Sequence, residues 1–127
     1  MPETEVVFYC DADGTAPVLE WLDGLAQNEP RAFDKCRHVI TLLQGMGHQL
    51  RRPHADMLRD GILELRTRVG RVNYRLLYFF HGRGVAILAH GLTKEAEVPS
   101  TEIDRAVKRR LVFEADPERH TYKEAEQ

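Results

Sequence analysis

Residues 62–80 read ILELRTRVGRVNYRLLYFF: two runs of alternating apolar and polar residues with only Gly70 and Arg71 between them. A period of two is the signature of β-strand, and a two-residue break leaves an antiparallel hairpin as the only connection. Whatever else this chain does, it has to build on that sheet. The alternation puts Glu64, Arg66 and Arg68 on one face of the first strand and Leu63, Leu65 and Val69 on the other. On the second strand Asn73 and Arg75 share a face, opposite Val72, Tyr74, Leu76 and Tyr78. Helices packed on the apolar side are expected to leave the charged side open. Antiparallel pairing then brings Arg66 or Arg68 near Arg75, and guanidinium groups at that range repel unless an acid or an anionic ligand lies between them. Glu64 supplies an acid. A phosphodiester is the other candidate, because the planar arginine fork pairs with phosphate oxygens and stays charged. A cross-strand Arg–Glu ladder and a phosphate site fit the pattern equally well.

The remaining elements assemble around this hairpin. Residues 5–10, EVVFYC, read as a first strand and DADG as a turn. A helix is expected from Thr15, with Thr15 as its cap, Pro17 in its first turn, and Val18, Leu19, Leu22 and Leu25 at helical spacing. Asn28 to Pro30 interrupts it, and a second helix over 31–43 carries Phe33, Cys36, Val39, Ile40 and Leu43 on one face. QGMGHQLRRPHADM, residues 44–57, reads as a connection. Strands at 62–69, 72–80 and 85–91 form a meander, and Pro99 opens a last helix with Ile103, Ala106, Val107 and Leu111 inward. The order is β-α-α-β-β-β-α, an α+β fold. One domain is expected over 1–115, with 116–127 as a polar, frayed tail; 127 residues allow one modest core.

Charge is distributed unevenly. The net charge is −2, but residues 1–50 carry −5, residues 51–94 carry +6 and residues 95–127 carry −3. A basic block of this kind either meets a polyanion or is a solvated face paired with the acidic thirds. No apolar run is long enough to cross a membrane, and MPETEVVFYC lacks the pattern of a signal peptide, so the cytoplasm is the expected compartment and no membrane partner is expected. Cys10 and Cys36 lack metal-ligand spacing and read as buried free thiols. The six histidines show no zinc-binding spacing. His90, between Leu88 and Leu92, reads as a hydrogen-bonded, partly buried histidine or as a proton shuttle. VVFYCDADGT resembles the nucleophile motif of haloacid dehalogenase-type phosphatases, with Asp11 as nucleophile and Asp13 as acid/base. That chemistry needs Mg²⁺ on further carboxylates after a later strand, and no later strand ends in paired acids. A turn is expected instead, with Asp11 and Asp13 bonding nearby amides and Gly14 supplying the dihedral.

The stretch 58–110 resembles the phage-derived HigB-like branch of the RelE/ParE toxin superfamily. The matching residues are Leu58, Gly61, Glu64-Leu65-Arg66, Tyr74-Arg75, His90-Gly91, Lys94, Pro99, Glu102-Ile103 and Ala106. The element order fits the small RelE-like fold, and the resemblance spans about residues 5–113. Leu92 stands where Phe is usual, Thr93 replaces a Lys, and EAEVP replaces a basic run, so the face is less basic than is typical. The resemblance implies the toxin of a type II toxin–antitoxin pair: a ribosome-dependent mRNA endonuclease that inhibits translation and is neutralised by a cognate helix-turn-helix antitoxin. Its chemistry would need no metal or other cofactor, the RNA 2′-hydroxyl attacking the adjacent phosphate. Arg66, Arg75 and Lys94 would be the catalytic donors, and Glu64, Lys94 or His90 would move the proton. Arg68, Arg71, Arg83 and His90 would contact RNA. ParE-like relatives instead inhibit DNA gyrase without catalysis, so a gyrase inhibitor or an inactive binding module on the same fold is the alternative.

Overall fold

The computed structural model describes residues 3–94 and 97–123, with Lys94 described for its backbone alone. The elements are β1 (Glu5–Phe8), α1 (Pro17–Asn28), α2 (Pro30–Met46), a short 3₁₀ turn (Gly47–Gln49), β2 (Ala55–Arg59), β3 (Ile62–Val69), β4 (Val72–His81), β5 (Val85–Lys94) and α3 (Ser100–Ala115). The five strands form one sheet in the order β1-β5-β4-β3-β2. Three of the four pairings are antiparallel, and β1 lies parallel to β5 at one edge. This is an α+β architecture consistent with the small RelE-like fold that the resemblance implies.

The hairpin over 62–81 forms in the expected register, with Val69 opposite Val72, Arg66 opposite Arg75 and Leu63 opposite Tyr78. The strand β2 was not expected; residues 55–57 were read as connection. It pairs with β3 through Asp60 and Gly61, both at positive φ (+54° and +77°). Two successive left-handed residues are what a tight hairpin needs to match strand twist, and Asp-Gly is a favoured sequence for it. The helix α1 starts at Pro17 after Ala16, so Thr15 is not its cap. Among its buried side chains are Val18, Leu22 and Leu25, as the spacing predicts. On α3, Leu111 faces solvent and Phe113 is buried in its place.

Both faces of the sheet are covered. Leu65, Tyr74, Leu76, Tyr78 and Leu88 pack with Val18, Leu22, Cys36, Val39 and Leu43 beneath α1 and α2. On this side Gly91 lets the Trp21 ring approach: a Cβ there would come within 2.5 Å of the indole. On the other side Ile62, Leu77, Phe79, Ile87 and Ala89 pack with Ile103, Ala106 and Phe113 of α3. The expectation of one open face is therefore corrected. The physical reason is visible in β4, where Leu76, Leu77, Tyr78 and Phe79 form a continuous buried run, the mark of a strand covered on both sides.

The segment after α3 also differs from the expected frayed tail. Thr121 bridges to Tyr9, Tyr122 N–H donates to Phe8 O at 2.8 Å, and Cys10 N–H donates to His120 O at 2.9 Å. His120 is buried and stacks on Tyr9 with ring centroids 5.8 Å apart. Residues 124–127 lie outside the described residues. The DADG stretch is the expected turn: Asp13 Oδ1 accepts the Thr15 N–H at 2.9 Å, Gly14 N–H donates to Asp11 O, and Gly14 has φ +91°. Cys10 and Cys36 are free and buried. No helix among the described residues is long and apolar enough to cross a membrane.

Candidate functional site

Strand pairing sets the site out in rows across the α3 face of the sheet. Asp56, Glu64, Leu77 and His90 form one row; Arg66, Arg75 and Leu92 form the next. In the third, Arg68 stands opposite Asn73, whose other partner is the Lys94 backbone. At the N-terminal end of α3 the charged ends of these rows open into a cleft of about 390 Å³. Glu64, Arg66 and Arg75 line it from β3 and β4, and Arg52, Asp56 and Arg59 line it from β2 and the preceding turn. Glu97 and Ile103 close it from the α3 side.

The cations in this cleft are not equivalent. Arg75 is only 9% exposed, and its Nη1 donates to Glu64 Oε1 at 2.9 Å; Glu64 itself is 3% exposed. Arg52 donates twice to Asp56 Oδ2, and Arg59 is held by Asp60, Asp104 and Ser100. Arg66 is half-buried, its Nε reaches Pro53 O at 3.4 Å, and it has no ion pair among the described residues. It is thus the guanidinium in the cleft whose fork remains open to an anion. Burial pushes the Glu64 carboxyl above the usual carboxylate range, and the nearby Arg75 and Arg66 offset that only in part. A carboxylate raised in this way is a better proton acceptor than a solvated one.

The site residues expected from the sequence do not all come together. Glu64, Arg66 and Arg75 meet in the cleft. Arg68 and Arg71 lie exposed at the β3–β4 end, with Arg68 Nε turned onto Gly70 O. Lys94 closes β5 opposite Asn73, and its side chain lies outside the described residues. Arg83 sits in the β4–β5 turn, separated from Arg75 by six residues of strand, roughly 20 Å. His90 is enclosed under α3. Its Nδ1 lies 3.0 Å from Arg109 Nη1, and because arginine only donates, Nδ1 carries the lone pair and Nε2 the proton. Nε2 is 3.4 Å from Glu102 Oε1 without hydrogen-bond alignment. Burial pushes its pKa down. His90 therefore positions α3 and stands apart from the cleft.

Sequence reasoning passed over Arg52, Asp56 and Arg59, because it passed over the strand that carries them. The signal was present: Asp60-Gly61 between two runs with apolar residues at Met57, Ile62, Leu63 and Leu65 marks a hairpin. Among the described residues no three His, Cys, Asp or Glu side chains gather to hold a metal ion.

No curated protein matches the chain. The sequence model of the family described as Phage derived protein Gp49-like (DUF891) matches residues 20–111, which takes in the hairpin, every residue named in the cleft, and most of α3. With well over half its length matched, this chain belongs to the phage-derived Gp49-like family.

Proposed function

We propose that this protein is a toxin of a toxin–antitoxin pair that cleaves mRNA on the ribosome, with the cleft between β2, β3 and β4 as its active site. The observation that carries the reading is the direct opposition of Arg66 and Arg75 across β3 and β4, one row from a Glu64 whose carboxyl burial has made more basic. In-line attack of a 2′-hydroxyl on its neighbouring phosphate needs a base for the hydroxyl proton and donors for the charge that builds on phosphorus. Glu64 takes the proton as the 2′-oxygen–phosphorus bond forms. Arg66 and Arg75 stabilise the pentacoordinate phosphate. The bond to the 5′-oxygen then breaks, that oxygen takes a proton from Lys94, and the upstream RNA is left with a 2′,3′-cyclic phosphate. The membership of a phage-derived family and the toxin-like fold support this reading. So does the +6 charge over residues 51–94, which suits a phosphate backbone.

The proposed partners are the ribosome with its bound mRNA and a helix-turn-helix antitoxin. The test is induction of this chain alone in bacteria, followed by primer extension on abundant transcripts. Discrete cuts within codons and growth arrest are expected, with relief by the co-expressed neighbouring gene product. Growth arrest with an SOS response and uncut transcripts would overturn the endonuclease and point to gyrase.

A further inference from the structure

A second cleft, of about 590 Å³, lies on the opposite flank of α3 from the first, where α3 passes the end of β1 and the segment that follows the helix. Its volume is in the range of small-molecule sites. Three cations of α3 line it, Arg105, Lys108 and Arg109, together with Ala12 and Val112.

Arg109 is held there in an unusual way. Its Nη1 donates to Ala89 O at 2.8 Å and lies 3.0 Å from His90 Nδ1, which occupies both protons of that nitrogen. The Tyr9 ring sits 5.9 Å from its central carbon. The guanidinium is thereby fixed in orientation, while Nε and Nη2, its side-on fork, make no hydrogen bond among the described residues and are not sealed from solvent. No carboxylate forms an ion pair with it among the described residues. Burial even depresses its pKa below the ordinary arginine value. A half-buried, oriented arginine without a carboxylate partner is costly unless an anion completes it.

One of the two acids that line the cleft is already paired, Asp104 with Arg59 Nη2 at 2.6 Å. Asp11 Oδ1 accepts the Tyr9 hydroxyl at 3.0 Å, and its charge offsets part of that of Arg109 without forming an ion pair with it among the described residues. Arg105 reaches Glu102 only at 3.8 Å, and Lys108 has no ion pair among the described residues. The positive charge facing this cleft is therefore incompletely balanced, and the side-on fork of Arg109 matches two oxygens of one anionic group.

We infer that this cleft is a binding site for a small phosphorylated ligand of mononucleotide size, with the phosphate on the fork of Arg109, flanked by Arg105 and Lys108, and the rest of the molecule against Ala12 and Val112. The inference does not rest on the proposed nuclease chemistry, since the two clefts share no arginine.

The test is titration of the full chain at low ionic strength with 5′-AMP, inorganic phosphate and adenosine, followed by calorimetry and by amide shifts. Saturable binding of 5′-AMP is expected, weaker binding of phosphate, and none of adenosine, with shifts centred on Ala12 and Val112. Arg109→Gln should weaken 5′-AMP binding about ten-fold or more, the scale of a charged hydrogen bond. Because Arg109 also ties α3 to the sheet, the exposed pair Arg105→Glu and Lys108→Glu provides a second variant: it should abolish binding with little change in melting temperature. Arg31→Ala, which removes one exposed charge on α2, across the sheet from α3, should bind as the parent does. No saturable binding of 5′-AMP or phosphate, equal binding of adenosine, or a loss that follows Arg66→Ala and not Arg109→Gln would each overturn the site.

Discussion

Along β3 and β4 the face of the sheet beneath α3 changes character within a few residues. At one end Ile62 and Phe79 lie under Ala106 and Phe113, with the Arg110 guanidinium over the Phe79 ring at 5.8 Å. At the other end the same two strands present Glu64, Arg66, Arg68 and Arg75, and the helix no longer covers them fully. The apolar end is a core like that under α1 and α2. The charged end keeps a buried ion pair and an arginine open to solvent in a place where apolar residues would have let α3 seal the face. Replacing a buried ion pair by packed apolar groups is often neutral or stabilising, so stability alone does not account for charges here. The proposed active site rests on this difference between the two ends.

The comparison is broken most severely by removing one member of the buried pair. Glu64→Ala removes the carboxylate that Arg75 Nη1 donates to, and Arg75→Met takes that donor from the enclosed Glu64; each should cost about 3–5 kcal/mol. The double variant Glu64→Leu with Arg75→Met should recover most of that loss in denaturant unfolding and still cleave no RNA. Single variants as stable as the parent would show that the pair is not enclosed as described.

A smaller effect separates the two ends by pH. Burial raises the folded pKa of Glu64, so its contribution is fully present below the ordinary glutamate value of about 4.3 and is lost as pH rises through the raised folded value. His90, at the covered end, has the opposite sign. Its folded pKa is lowered, so its contribution is present above about 6.5 and is lost as pH falls toward the folded value. Melting temperature followed across pH 4–8 should show both losses. Glu64→Gln should remove the first and His90→Gln the second. A loss that persists in the corresponding variant would assign it to another group.

How much of this was legible in the sequence depended on how local the signal was. The hairpin and its register follow from alternation and Gly70, and the inward faces of α1 and α2 follow from helical spacing. The second core was misread because alternation was followed through β4 as far as Tyr78, although Leu76 to Phe79 is apolar without a break. That one misreading made Arg75 a surface residue. Its burial came from α3, an element some 25 residues away whose docking no local pattern reports. That Arg66 or Arg68 comes near Arg75 was legible because it needs only pairing between adjacent strands; the register then sets Arg66 opposite. The contribution of Arg52, Asp56 and Arg59 was missed with β2. The anchoring of Arg109 on Ala89 and His90 was beyond reach, because it joins a helix to a strand that sequence spacing cannot place against it.

Arg66 tests the central claim most directly, because among the cleft arginines its side chain is the least committed to the fold. Arg66→Ala should leave the melting temperature within a few degrees of the parent, since a half-buried strand arginine with no ion pair among the described residues contributes about a kcal/mol or less. Loss of a donor to the transition-state phosphate should lower the rate of mRNA cleavage on ribosomes about a hundred-fold or more. Arg66→Lys should restore only part of it, because a point charge does not replace the fork. Cleavage at the parental rate by well-folded Arg66→Ala would contradict the account and return the charges of β3 and β4 to a structural role.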